Sequence, residues 1–302
     1  MMTRAEPAAP SGWIVLDKPL GLSSAQGVAA VKRIFRQAGH AIARIGHGGT
    51  LDPLATGVLP IALGEATKLA GRMLDAAKGY DFTVQFGAAT STLDAQGDIV
   101  ATSDVRPDAA AVAAILPRFT GPINQVPPAY SALKVDGRRA YALARAGGDV
   151  QLAARHVTVH RITLVAITAD SATFSTRVSK GTYIRALARD IAQALGTVGH
   201  VTMLRRTQSG PFTLEQAISL DKLAELVQGR SPEQALLPLM TGLDDIPALA
   251  ITPDEAAALK QGRRLVGHPA SNGTYLAVCG SVPVALVEAR EGEVRVLRGF
   301  NL

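Results

Sequence analysis

An α+β fold is predicted, with a large mixed domain followed by a small β-rich one, and three observations carry it. Residues 80–86 and 157–178 alternate apolar and polar side chains as half-buried strands do, the second stretch turning back at Ala169-Asp170-Ser171. Residues 23–37 and 184–195 repeat apolar side chains at helical spacing. After residue 247, short apolar runs follow one another between glycines, as in a small barrel-like unit.

Taken in order, residues 1–11 read as a short tail without the apolar run of a signal peptide. Trp13-Ile14-Val15-Leu16 is a strand halted by Asp17-Lys18-Pro19. Ser23 or Ser24 caps a helix to about Gln37, with Val28, Val31, Ile34 and Phe35 as its core stripe. Lys32, Arg33 and Arg36 form a basic cluster on its other face. Residues 46–60 hold four glycines and two prolines around His47 and Asp52, the density of an irregular loop specified position by position.

Residues 65–78 read as helical, and 90–97 as a polar loop. Pro107 is expected at the first position of an alanine-rich helix reaching Phe119. Residues 125–135 are too rich in proline for a central strand, and Asp136-Gly137 with Arg138, Arg139 and Arg145 marks a second basic patch. A helix follows to Leu195, with Arg185 and Arg189 apart from its core stripe. Residues 199–206 form a strand ending in the basic pair Arg205 and Arg206, and 212–240 read as mostly helical. A boundary near 242–247 precedes a helix over 253–260 and strands at 264–266, 275–279, 284–289 and 293–297. The expected domains are thus 12–245 and 246–302.

Composition narrows the chemistry. The 31 Lys and Arg outnumber 25 Asp and Glu, an excess suited to a polyanionic partner such as RNA. One cysteine, Cys279, excludes an intrachain disulfide or a multi-cysteine zinc site, and its apolar flanks suggest a core position. No run approaches the ~18 apolar residues of a membrane span, so a soluble, cytoplasmic protein is expected. Walker A, G-x-G-x-x-G, H-E-x-x-H and G-x-S-x-G patterns are all lacking. What remains is one carboxylate, Asp52, in a structured loop. A lone aspartate can act as a nucleophile if an arginine keeps it ionised and aimed, though spacing does not say which arginine.

Residues 46–60, GHGGTLDPLATGVLP, resemble the signature loop of the bacterial tRNA pseudouridine-55 synthases. WIVLDKPLGLSS at 13–24, KGYDFTVQFG at 78–87, VPPAYSALKVDGRRAYALAR at 126–145, SKGTYIRALARDI at 179–191 and HVTMLRR at 200–206 resemble further blocks of that family, in family order. The resemblance is strong over about 12–240 and weaker beyond.

It implies a pseudouridine-synthase catalytic domain with a mainly antiparallel mixed sheet, and a C-terminal PUA-like RNA-binding domain. The implied activity isomerises one uridine of the tRNA TΨC arm without a cofactor or metal, in a monomer needing no protein partner. Asp52 matches the catalytic aspartate; attack at C1′, attack at C6 and a glycal route stay open. Tyr80 matches the tyrosine that packs on the target base, and Arg185 the arginine that pairs with the aspartate. Tyr183 and Leu204 match positions of the uracil pocket, and Lys18 a lysine near it. His47 matches the histidine that fills the gap left by a base flipped out of its stack, a displacement costing a few kcal/mol. Arg138, Arg139, Arg205 and Arg206 are expected on the RNA backbone. Many family members have Thr where Gly48 stands, so this loop is expected to be looser. Two other readings compete. One is a non-catalytic RNA-binding or tRNA-folding protein, which would need no poised Asp52. The other is the guide-dependent branch of pseudouridine synthases, which typically carries the lysine-rich tails and protein partners lacking here.

Overall fold

The computed structural model describes residues 10–302 except 132, 136, 149 and 230, and leaves the Lys134 side chain aside. Most of the expected tail and Asp136 of the expected turn lie outside the described residues. Ser11, assigned to that tail, is held: its Oγ accepts from Glu65 N at 2.9 Å.

The chain opens with β1 (Gly12–Lys18), α1 (Ser24–Gln37), β2 (Ile45–His47), β3 (Ala55–Leu63), α2 (Ala70–Asp75), β4 (Lys78–Phe86), β5 (Ala88–Thr90) and β6 (Ile99–Thr102). It continues with α3 (Ala109–Ile115), β7 (Gly121–Gln125), β8 (Lys134–Val135), β9 (Arg138–Arg139), α4 (Ala140–Arg145), β10 (Arg155–Ile167) and β11 (Ser171–Val178). Then come α5 (Ile184–Ala194), β12 (Gly199–Ser209), β13 (Phe212–Thr213), α6 (Leu220–Gln228), β14 (Ala248–Ala250) and α7 (Pro253–Lys260). The last strands are β15 (Leu265–Val266), β16 (Gly273–Cys279), β17 (Val282–Arg290) and β18 (Glu293–Gly299).

The main sheet runs β1-β3-β12-β4-β11-β10-β7, with β2 on β3 and β13 on β12. Every pairing in it is antiparallel except β3–β12, where Leu204, Arg205 and Arg206 lie beside Ala55, Thr56 and Gly57. The apolar run of β1 reflects burial on both faces. Ile14 and Leu16 join the core beneath α1, α5 and α6, while Trp13 and Val15 join a second core on the opposite face. Leu276, Leu286 and Phe300 enter that second core, so the C-terminal sheet β14-β16-β17-β18-β15 packs onto the back of β1 and β3. Beneath α7 the small sheet keeps a core of its own, with Leu259, Leu265 and Val287.

Several expectations need correction. The irregular loop is only 48–54, because β2 and β3 claim its flanks. The helix expected over 65–78 is a 3-10 turn, Gly64–Leu69, then α2, ending where Lys78 enters β4. Pro107 precedes α3, since Asp108 is the better cap and accepts from Ala111 N at 2.7 Å. The 212–240 stretch holds one α-helix and short 3-10 turns, with β13 at its start. β14 was not anticipated, and Cys279 is half-buried and unpaired. No described helix is long and apolar enough to cross a membrane.

Candidate active site

Asp52 lies in the short loop between β2 and β3, and each limb of that loop is tied down. The Gly48 N–H donates to Pro60 O at 2.8 Å and Gly21 N to Pro53 O at 2.9 Å. Ser24, in the first turn of α1, accepts from Leu51 N (2.7 Å) and donates to Leu51 O (3.1 Å). The expected looseness at Gly48 is not found. A Cβ there would sit 2.5 Å from Met73 Cβ, so glycine is what lets α2 pack against the loop.

The carboxylate, 38% exposed, points into a pocket of about 330 Å³. Arg185, from the first turn of α5, meets it with Nη2 at 2.9 Å. Expected apart from the core stripe, Arg185 is 5% exposed, its guanidinium also donating to Thr92 O (2.8 Å) and Tyr130 O (2.9 Å). Behind it stands a second carboxylate, the buried Asp94, 3.6 Å from Nη1. Asp94 is itself fixed, accepting from Thr92 Oγ1 (2.5 Å) and Gln96 N (3.0 Å). One arginine is thus clamped between an exposed carboxylate and a hidden one. In the sequence Asp94 lies in a polar stretch, and its only local signal is the Thr-x-Asp spacing of a side-chain-closed turn.

Tyr80 on β4, Tyr183 at the N-terminus of α5 and Leu204 on β12 line the same pocket, as expected. Burial raises the Tyr183 phenol above its usual pKa, opposed first by the neighbouring Ser131 hydroxyl and supplemented by the charge of Asp52. Ser131 also lines the pocket, is buried, and lacks a hydrogen-bond partner of good geometry among the described residues.

Other expected site residues stand elsewhere. Lys18 is not a pocket residue: it is fully buried, donating to Pro19 O (2.9 Å) and Leu22 O (2.6 Å). Burial lowers its pKa to about 8, with Asp52 opposing and Arg206 adding to the fall. His47, at the end of β2, is half-buried and outside the pocket lining. Its Nδ1 accepts from Gly49 N at 3.4 Å, and its pKa is lowered by burial and then by Arg206. Arg138 and Arg139 are exposed on the β8–β9 hairpin, and Arg145 stacks on Tyr141 at 5.6 Å. Arg205 is paired with Asp17 through two hydrogen bonds, at 3.1 and 2.9 Å. Arg206 is no backbone contact at all, being 1% exposed with its guanidinium spent on carbonyls inside the fold. Among the described residues no group of three or more His, Cys, Asp or Glu is gathered as metal ligands.

This architecture recurs in two solved assemblies. The chain aligns at TM-score 0.73 and 26% identity with a chain of an H/ACA RNP bound to a substrate RNA containing 2′-deoxyuridine, covering 96% of this chain and 85% of that one. A Cbf5-Nop10-Gar1 complex matches equally well, at 27% identity and covering 96% and 84%. The family models then define the class as a pseudouridylate synthase. Residues 32–184 match the TruB family pseudouridylate synthase N-terminal domain, and 185–246 the tRNA pseudouridylate synthase B C-terminal domain. Similar curated proteins include tRNA pseudouridine synthase B of Novosphingobium aromaticivorans, 64% identical and covering 96% of this chain and 97% of that one. That of Zymomonas mobilis is 57% identical, covering 96% of each. The chain belongs to the TruB family of pseudouridylate synthases, which are isomerases.

Proposed function

We propose that this chain converts uridine 55 in the TΨC arm of tRNA to pseudouridine, with Asp52 as nucleophile. The observation that carries this is the 2.9 Å Asp52–Arg185 pair opening onto a pocket walled by Tyr80, Tyr183 and Leu204. A carboxylate aimed by an arginine is what attack requires, and a binding protein has no use for one. The reaction breaks the N1–C1′ bond and forms C5–C1′; C5 loses a proton and N1 gains one, so substrate and product are isomers.

Each side chain has a part in this reading. Arg185 pairs with Asp52 and aims it, and Tyr80 packs on the base and serves proton transfer from C5. Tyr183 and Leu204 confine the uracil as it turns. His47, beside the loop but outside the pocket, fills the stack vacated by the flipped base, recovering part of a cost of a few kcal/mol. Arg138 and Arg139, with the exposed Lys32, Arg33, Arg36 and Arg44, meet RNA phosphates. Residues 246–302 act as a PUA-like RNA-binding domain behind the catalytic domain of 12–245. The protein works as a cytoplasmic monomer. The tRNA substrate is favoured over guide-directed RNA because relatives at 46–64% identity are named tRNA pseudouridine synthase B, while the H/ACA RNP and the Cbf5-Nop10-Gar1 complex stand at 26% and 27%.

The test is incubation with an unmodified tRNA transcript, followed by mapping of pseudouridine. The parent should modify one uridine in the TΨC arm. Asp52→Asn should abolish isomerisation while leaving tRNA affinity within roughly tenfold, since the phosphate contacts remain. Turnover by the variant equal to the parent's would refute the nucleophile.

A further inference from the structure

The buried guanidinium of Arg206 touches the Asp52 loop from behind. Nε donates to Val58 O at 2.6 Å, Nη2 to Gly49 O at 3.1 Å and Nη1 to Thr50 O at 3.3 Å. Residues 49 and 50 precede Asp52 and residue 58 follows it, so one planar group spans both limbs of the loop. The backbone geometry explains how it gets there. β1 occupies one edge of β3, and the other edge is divided: β12 pairs with residues 55–57 and β2 with residues 61–63. In the gap, Gly48 N serves the Pro60 carbonyl and the Arg206 side chain serves that of Val58. Gly57 brings β3 close enough: at φ +96°, a Cβ there would lie 2.2 Å from Arg206 O.

We propose that Arg206 is a positioning residue for this reaction, its guanidinium setting the separation of the two loop limbs and so aiming the Asp52 carboxylate at Arg185 and the substrate. The inference rests on the reading of Asp52 as nucleophile. Arginine suits the task because its five N–H groups diverge in one rigid plane and it stays charged, whereas lysine offers one mobile nitrogen. Its fixed charge leaves a second mark. With burial, it depresses the pKa of His47, Lys18 and Lys78, the last to about 8. A residue that only filled space would leave those groups alone.

The experiment compares Arg206→Lys and Arg206→Gln with the parent on an unmodified TΨC stem-loop, alongside Arg138→Gln as an exposed phosphate-contact control. Both Arg206 variants should keep KM within about threefold, while kcat of Arg206→Gln falls about a hundredfold, the loss expected when a reacting group is misplaced by about an ångström. Arg206→Lys should recover part of the loss. The salt slope of RNA binding should be unchanged in both, while Arg138→Gln lowers it by about one unit. The His47 imidazole, followed by NMR, should titrate at higher pH in Arg206→Gln than in the parent. A parental kcat, an unmoved His47, or a salt slope reduced as in Arg138→Gln would overturn the assignment.

If neither variant folds, the parent decides. Its Arg206 Nε–H resonance should be protected from solvent exchange with or without RNA, and exchange at the rate of a free arginine overturns the proposal. Failure of Asp52 as nucleophile is read separately, from Asp52→Asn turning over at the parental rate.

Discussion

Asp94→Ala removes the hidden half of the clamp on Arg185, and the structure fixes what should follow. Both side chains are nearly sealed, Arg185 at 6% and Asp94 at 5%. Breaking a buried ion pair by deleting one partner costs about 3–5 kcal/mol, because the surviving charge stays desolvated. Here Nη1 and Asp94 are 3.6 Å apart and Arg185 keeps Asp52, which puts the cost at about 3 kcal/mol. At roughly 2–4 °C per kcal/mol, Tm should fall by about 6–12 °C. Freed on one side, the guanidinium no longer aims Asp52, and the single-turnover rate should drop on the order of a hundredfold with RNA affinity retained. Asp94→Asn can still accept from Thr92 and Gln96 through Oδ1 but turns an amide toward the cation. Its Tm loss should be smaller, and its rate loss similar. The fluorescence of Trp13, the only tryptophan and fully buried, follows unfolding, and pseudouridine formation with excess enzyme gives the rate. Parental Tm and parental rate in Asp94→Ala would refute the clamp.

Two further outcomes follow from the same geometry. Lys18 titrates near pH 8 in the folded chain, below its ordinary range, so its charge beside Asp52 is lost as pH rises through 8. Because the unfolded state then binds more protons, this group makes stability rise with pH from about 8 toward 10.5, while activity that depends on the ammonium declines. A pH–rate profile should show that limb in the parent and lack it in Lys18→Met; identical profiles would show that the Lys18 charge does not act on Asp52 during the reaction. Gly48→Thr forces Cβ against Met73 and should cost about 1–3 kcal/mol by overpacking, measured by denaturant unfolding, and an unchanged midpoint would show that α2 yields freely.

How far the sequence reaches can be seen residue by residue. Helix α7 matches its expected bounds because Thr252, Pro253 and Glu255 form a complete start signal within four positions. The hairpin β10–β11 was equally plain from its alternation, and Tyr80, Tyr183, Leu204, Arg185 and Asp52 do converge on one pocket. Arg206 went wrong for an instructive reason. A pair of arginines reads as a basic patch, yet strand period two places Arg206 on the face of buried Leu204 and turns Arg205 the other way. The signal was present and outweighed by charge. For Asp94 the Thr-x-Asp spacing marks a turn but not a partner, since Arg185 lies far along the chain and meets it only in the fold. The 3-10 turn before α2 likewise depends on packing against β3 and β1, which local propensity does not encode.

The parallel step between β3 and β12 joins Ala55 to Leu204, and the residues around it come from widely separated positions: 52, 80, 94, 185 and 206. On a growing chain, Asp52 therefore exists long before its arginine, and the arginine before the strand that braces the loop. The Asp52 pocket is a late product of folding, dominated by non-local closures that slow the search for the native state. A chain stopped before β12 would carry Asp52 and Arg185 without the Arg206 contacts that join the two limbs of the loop.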